Sequence, residues 1–298
     1  MPRTVKPSAD LTAAEQLNFL LTNRIPRRLL TRFMGWYSQL RSRRLTRLSM
    51  WFWRQFADDL RMHESATQEF NSLHECFTRR LKPGARPVCT DTRTLISPCD
   101  AVVGEFGAIN GFELIQAKGF PYTLSELLCD TNLADQYRNG LFVTLRLKSS
   151  MYHHFHAPAD GWIEQLSYIS GDTWNVNPIA LKKVEKLFCR NERAVIPFQT
   201  TINDETLVMV PVAAVLVASM RFHGIQTALN LQYRGPNVVQ VQQPYKKGDP
   251  IGYFEHGSTI VLLLPPSWRF SEHIVTGQII RMGQPLLYRQ QPPASSNV

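Results

Sequence analysis

The segment Gly252-Tyr253-Phe254-Glu255-His256-Gly257-Ser258-Thr259-Ile260-Val261-Leu262-Leu263-Leu264 sets the class of this chain. From Ser258 onward it is an unbroken apolar run of β-forming residues, the pattern of a buried strand. Gly257, just before it, reads most simply as a turn. A second reading carries chemistry. Glycine tolerates backbone conformations closed to other residues, so a serine hydroxyl that follows one can reach the preceding carbonyl. Attack there moves the acyl group from nitrogen to oxygen and turns the Gly257–Ser258 amide into an ester. Elimination and hydrolysis then leave a pyruvoyl group at the new N-terminus. Such a site needs a base, a group that orients the base, and a use for the ketone.

Outward from this segment, short alternating or apolar runs separated by turn residues cover 101–103, 112–116, 141–147, 161–169, 194–198, 206–219, 238–241, 251–254, 259–264 and 278–282. Many short strands at such spacing predict a β-barrel or sandwich. One helix is expected at 124–128. The loop Lys82-Pro83-Gly84-Ala85-Arg86-Pro87 marks the change from a helical N-terminal third to this β-rich remainder. Before the loop, Thr12-Ala13-Ala14-Glu15 has capping-box spacing and predicts a short helix ending near Asn23. Residues 57–75 read as helical, and 70–81 as a helix packed back on the core. The expected organisation is α+β: a helical, basic region over 1–64, a β-rich catalytic domain over 65–287 and a disordered tail over 288–298.

Between Arg24 and Arg54 there is no acidic residue, while arginines stand at 24, 27, 28, 32, 41, 43, 44, 47 and 54. Leu29, Leu30, Phe33, Met34, Tyr37, Leu40, Leu45, Leu48, Phe52 and Phe56 recur at helical spacing, with Trp36, Trp51 and Trp53 interleaved. This is the composition of a helix, or of two broken near Ser42, lying in a membrane interface. Arg27, Arg28, Arg43 and Arg44 would meet lipid phosphates, and Trp36, Trp51 and Trp53 the headgroup level. The plainer alternative is an amphipathic helix on the core with a solvated basic face.

Composition narrows the partners. An apolar fraction of 44% and a charged fraction of 19% are those of a globular chain. No apolar run reaches the ~18 residues of a spanning helix, and no apolar stretch of signal-peptide type follows Met1-Pro2-Arg3-Thr4-Val5. Five cysteines, at 76, 89, 99, 129 and 189, form no Cys-x-x-Cys, and no His-Glu-x-x-His occurs. Reduced thiols in a cytosolic setting and no metal site are expected. A net charge of +9 and a pI near 9.5 point to an anionic partner, nucleic acid or a membrane surface.

Candidate chemistry clusters in Tyr152-His153-His154-Phe155-His156. On a strand, His154 and His156 would share one face and His153 the other; in a turn, His153 and His156 could converge. Asp100, in Ser97-Pro98-Cys99-Asp100, is a candidate to orient an imidazole, or simply a turn former.

Phe254-Glu255-His256-Gly257-Ser258-Thr259-Ile260-Val261 resembles the processing site of the phosphatidylserine decarboxylase family. So, in the family's order, do Phe70-Asn71, Phe77-Thr78-Arg79-Arg80-Leu81-Lys82-Pro83-Gly84-Ala85-Arg86-Pro87, Ser97-Pro98-Cys99-Asp100, Gln116-Ala117-Lys118-Gly119, Tyr152-His153-His154-Phe155-His156-Ala157-Pro158, Val176-Asn177-Pro178 and Asn191-Glu192-Arg193. The resemblance implies self-cleavage between Gly257 and Ser258, with Asp100, His156 and Ser258 as the processing triad and His153 assisting decarboxylation. Ser258 would become a covalent pyruvoyl cofactor that forms a Schiff base with the substrate amine and takes up electrons as carbon dioxide leaves. Asn177 would line the substrate pocket. Met151, Ala101 and His256 depart from the family's usual residues.

Phosphatidylserine in an anionic membrane is then the expected partner, met peripherally at the cytoplasmic face of the cell membrane. One proenzyme gives an α/β pair, 258–298 with 1–257, and such pairs could dimerise. A pyruvoyl decarboxylase of a soluble amino acid is the alternative. A nucleic-acid-binding barrel ranks below both, because the basic cluster lies on helices outside the β-rich part.

Overall fold

In the computed structural model of the chain, the structure describes residues 27–55, 57, 59–116, 120–214, 219–230, 232–255 and 258–289. Ser258–Leu264 is the fifth of eight antiparallel strands, in the order Val238–Tyr245, Gly161–Ile169, Arg193–Thr200, Thr206–Ala213, Ser258–Leu264, Leu141–Leu147, Ala101–Ala108, Ile279–Ile280. All of its residues are buried. Ile260, Leu262 and Leu264 enter one core with Leu145, Phe155 and Phe254, while Val261 and Leu263 enter a second with Leu124, Leu127 and Phe188. Successive side chains point to opposite faces, so a strand covered on both sides has no use for alternating polar residues.

The first core is closed by two smaller sheets. One runs Leu229–Asn230, Ser219–Phe222, Pro250–Phe254, His154–His156, and the other Thr94–Ile96, Pro285–Arg289, Trp268–Phe270. The second core is roofed by the short helices Leu124–Leu128, Thr131–Gln136, Pro178–Leu181 and Leu187–Arg190. The fold is α+β with a large β content, as expected. The eight-stranded sheet is open, with Val238–Tyr245 and Ile279–Ile280 at its edges, so no closed barrel forms among the described residues.

The N-terminal region breaks where the sequence suggested. Helix Arg27–Gln39 is followed by helix Arg43–Arg54, and the Ser42 hydroxyl accepts from Leu45 N–H as its N-cap. Beyond it the expected continuation of helix fails. Asp59 accepts from the Arg61 N–H, Arg61 takes a left-handed φ of 47°, and only a 3-10 turn, Met62–Glu64, forms. A short polar side chain that bonds nearby backbone competes with helix. The helix expected over 70–81 is reduced to Leu73–Phe77, capped by Ser72. The run 206–219 divides into Thr206–Ala213 and Ser219–Phe222, with 215–218 outside the described residues. The helix expected near 12–23 and most of the 288–298 tail also lie outside them, although Pro285–Arg289 carries strand into that tail.

Tyr37, Met50 and Trp53 turn inward onto Phe70, Leu73, Cys76 and Phe77. Trp53 is therefore not a membrane-facing residue: its ring lies 4.6 Å from that of Phe77. Leu29, Phe33, Trp36, Leu48, Trp51 and Phe52 face outward, each more than half exposed. No described helix is long and apolar enough to cross a membrane.

Candidate active site

Strand pairing brings the histidines to the segment that leads into Ser258. Pro250–Phe254 lies antiparallel to His154–His156, with Tyr253 opposite His154, and Phe254 N–H donates to the His153 carbonyl at 3.0 Å. Gly252 allows this closeness: a Cβ there would collide with the Arg221 carbonyl and lie 2.7 Å from the Phe155 ring. Ser258 itself pairs with Leu147 on one side and Ala213 on the other. Its hydroxyl is fully buried and has no hydrogen-bond partner among the described residues. A buried hydroxyl left so costs about 1–3 kcal/mol, and such an exception calls for a role other than stability. His256 and Gly257, and with them the bond expected to break, lie outside the described residues.

The histidine segment is a strand, so the alternation reading holds. Tyr152 touches both His154 and His156, while Phe155 points into the main core and His153 packs edge-on against Phe77. His156 is buried. Its Nδ1 lies 2.8 Å from the Gly248 carbonyl and its Nε2 3.1 Å from the Tyr152 hydroxyl. Burial lowers its pKa; the Gly248 bond and the charge of Asp100 oppose this without reversing it. His154, which the resemblance leaves without a role, bonds the Thr78 carbonyl at 3.0 Å and is pushed down to about 4, chiefly by burial.

Asp100 is buried at the start of Ala101–Ala108, but it is held by Arg86 rather than by an imidazole. Arg86 Nε reaches Oδ1 at 2.8 Å, its terminal nitrogen reaches Oδ2 at 2.5 Å, and Met282 N–H donates to Oδ1 at 3.0 Å. The same guanidinium bonds Glu64 at 2.8 Å. Burial alone would raise the Glu64 carboxyl, but Arg61 and Arg86 outweigh it and hold the group at about 2. The expected triad residues are thus neighbours without forming a hydrogen-bonded relay: both ring nitrogens of His156 are engaged by Gly248 and Tyr152. Asp100 acts on the ring through space.

Asn177 is the N-cap of Pro178–Leu181, its side-chain oxygen accepting from Ala180 N–H at 2.8 Å. Asn191 and Arg193 are structural. Asn191 bonds Trp174 and Ala213, and the buried Arg193 guanidinium binds the carbonyls of Leu127, Cys189, Asn191 and Glu126. Gln116 ties the same region by donating to Leu181 and Val184 and accepting from Leu187. Sequence reasoning missed Tyr152, Gly248 and Arg86 as parts of the site. Arg86 and Tyr152 lay inside quoted motifs, but only contacts across the fold give them work. Glu255, three residues before Ser258, was also missed; Ser219 donates to its carboxylate at 2.6 Å and Arg221 at 3.3 Å.

A buried serine opening a central strand, with a histidine strand laid along the segment before it, defines a self-processing enzyme site rather than a binding module. The family model for phosphatidylserine decarboxylases matches residues 73–288. A phosphatidylserine decarboxylase proenzyme of Vibrio cholerae is 36% identical over 276 residues, which span 89% of this chain and 96% of the relative. Similar proenzymes of Saccharophagus degradans and Coxiella burnetii are 34% identical over 281 residues and 35% over 254, spanning 91% and 81% of this chain and 96% and 86% of theirs. The chain belongs to the phosphatidylserine decarboxylase family.

Proposed function

We infer the division of labour as follows. The chain is a carboxy-lyase made as a proenzyme. It converts phosphatidylserine to phosphatidylethanolamine, using a pyruvoyl group that arises from its own Ser258. The observation that carries this reading is Ser258 itself, a buried hydroxyl without a partner at the head of the central strand, inside the matched region.

His156 takes the proton of the Ser258 hydroxyl through Nε2, after that nitrogen exchanges Tyr152 for Ser258. Because burial lowers its pKa, the ring is neutral, and so a base, at physiological pH. Asp100 stabilises the imidazolium that forms, through space. The freed oxygen attacks the Gly257 carbonyl, and the chain parts into 1–257 and 258–298. The pyruvoyl group at residue 258 then supplies the electron sink for the bond that breaks as carbon dioxide leaves. His153, buried beside Phe77, meets the substrate carboxylate and returns a proton to the carbon it has left.

Leu29, Phe33, Trp36, Leu48, Trp51 and Phe52 form the surface that enters the lipid interface, with exposed Arg41, Arg44 and Arg47 among them. An apolar patch rimmed by cations fits an anionic leaflet, each cation near it adding about 1 kcal/mol. Docking is peripheral, at the cytoplasmic face of the cell membrane. Loss of the carboxylate turns an anionic lipid into a zwitterionic one, so this face favours substrate membranes over product membranes.

Intact mass under denaturing, reducing conditions tests the processing step. Two pieces are expected, 1–257 and a 258–298 fragment with a ketone-reactive blocked N-terminus. Ser258→Ala should remain one chain without activity on phosphatidylserine vesicles, and cutting at the same bond in that variant would refute the nucleophile.

A further inference from the structure

We propose that Tyr152 is a positioning residue for His156: together with the Gly248 carbonyl it fixes the imidazole in the tautomer that carries its proton on Nδ1 and keeps the Nε2 lone pair for chemistry. In a Ser-His-Asp relay this orienting work falls to the carboxylate. Here the Asp100 carboxylate is occupied by Arg86 and Met282. The His156 Nδ1 faces a carbonyl oxygen at 2.8 Å, and a carbonyl can only accept, so Nδ1 carries the hydrogen. In the neutral ring Nε2 is then the acceptor, and the Tyr152 hydroxyl at 3.1 Å is the donor. Both partners are needed: Gly248 selects the tautomer, and Tyr152 stabilises its exposed lone pair.

The fold holds Tyr152 for this work. Its ring stacks on His154 at 4.9 Å and 7°, and His154 is itself anchored to the Thr78 carbonyl and packed against Tyr253 at 4.9 Å. That explains a histidine to which the family comparison assigns nothing. Tyr152 also borders a cavity of about 250 Å³ that includes Asp100 and Met151 in its wall, so the hydroxyl has space to move into when Ser258 claims Nε2.

The sign of the effect follows. Donation to Nε2 stabilises the neutral ring against the imidazolium, so removing the donor raises the His156 pKa. The groups that act on the ring are Asp100 and Asp249, which favour its charged form, and His154 and His223, which oppose it. Tyr152→Phe leaves all four in place and keeps the stack on His154. One hydrogen bond of ordinary strength amounts to about half to one pH unit.

The first measurement is ¹⁵N NMR of His156 in the full-length Ser258→Ala chain, which stays uncut. A neutral ring protonated on Nδ1 is expected, and the Nε2-protonated form, the commoner one in water, would overturn the proposal without any change at Tyr152. The second is the same titration in Tyr152→Phe, where the midpoint should rise by about half to one unit; an unchanged or lower midpoint overturns the role of Tyr152. If that variant does not fold, the first measurement still decides. The proposal borrows from the functional reading only the use of His156 as base, and the self-cleavage rate separates the two. If His156→Ala cuts itself at the normal rate, the base assignment fails while the NMR result stands. If His156→Ala is blocked and Tyr152→Phe keeps the acid limb of cleavage where it was, only the Tyr152 proposal falls.

Discussion

The helices Arg27–Gln39 and Arg43–Arg54 and the strand Ser258–Leu264 are all rich in large apolar side chains, and the fold treats them in opposite ways. The strand buries every residue between two cores. The helices turn Tyr37, Met50 and Trp53 inward and leave six large apolar side chains in the open. Apolar content alone therefore does not locate a core. What separates the regions is what accompanies the apolar residues: uncharged β-forming neighbours in the strand, arginines spaced around the whole helix circumference in the other. A helix with cations beside its apolar face has no dry partner to pack against, and that face is available to lipid.

Arg86 joins the two regions, since its guanidinium holds Glu64 from the helical side and Asp100 at the root of the core sheet. Breaking it should give the largest loss of stability. Arg86→Ala leaves two mostly buried carboxylates facing each other, and removal of one member of such a cluster costs about 3–5 kcal/mol. Glu64 also makes the loss depend on pH. Its folded pKa is depressed to about 2, so its contribution is complete above its ordinary value of 4.5 and is lost as pH falls through about 2. Without Arg86 that loss should begin at higher pH. Urea unfolding of the uncut Ser258→Ala chain at pH 7 and pH 4, with and without Arg86→Ala, measures both effects. A change below about 1 kcal/mol at pH 7 would mean that the regions are joined by packing alone.

A pair of variants sharpens the comparison further. Phe33→Ser with Trp51→Ser removes two exposed rings, so stability should stay within about 0.5 kcal/mol while co-sedimentation with phosphatidylserine vesicles falls at least ~10-fold. Trp53→Ala should do the reverse. It takes away the ring against Phe77 and should lose about 2 kcal/mol, less than a fully buried tryptophan, with vesicle binding kept. If Trp53→Ala releases the protein from vesicles and the outward pair does not, the two faces have been exchanged.

The same contrast explains what could be read from the sequence. Strands 141–147, 161–169 and 259–264 and the helix 124–128 were legible to within a residue or so, because each carries its own apolar pattern and ends at turn or cap residues. The strands Thr94–Ile96, Trp268–Phe270 and Pro285–Arg289 were missed: they are short and acquire strand character only by pairing with one another. Trp53 was misplaced because periodicity finds an apolar stripe but not which of two stripes meets the core. At the site, the alternation of His154 and His156 was legible from local geometry. The Arg86–Asp100 clamp spans 14 residues and the Gly248–His156 bond 92, and no local pattern announces either. The charge on Arg86 looks the same in sequence whether it faces lipid, solvent or a carboxylate.

Asn177 separates a structural from a substrate role at the smallest scale. Its side chain caps Pro178–Leu181, with proline at the first helical position. Asn and Asp cap about equally well, whereas Ala loses about 1 kcal/mol. A contact with an anionic lipid would rank the same substitutions differently, since Asp brings a negative charge towards a phosphate and a carboxylate. If capping is the role, Asn177→Asp keeps both stability and KM, and Asn177→Ala lowers stability by about 1 kcal/mol with KM unchanged once the protein is folded. A KM that rises severalfold in Asn177→Asp, at unchanged stability, would instead place this side chain against the substrate headgroup. Measuring unfolding and vesicle kinetics on the same two variants decides between them, because only the substrate role moves KM without moving stability.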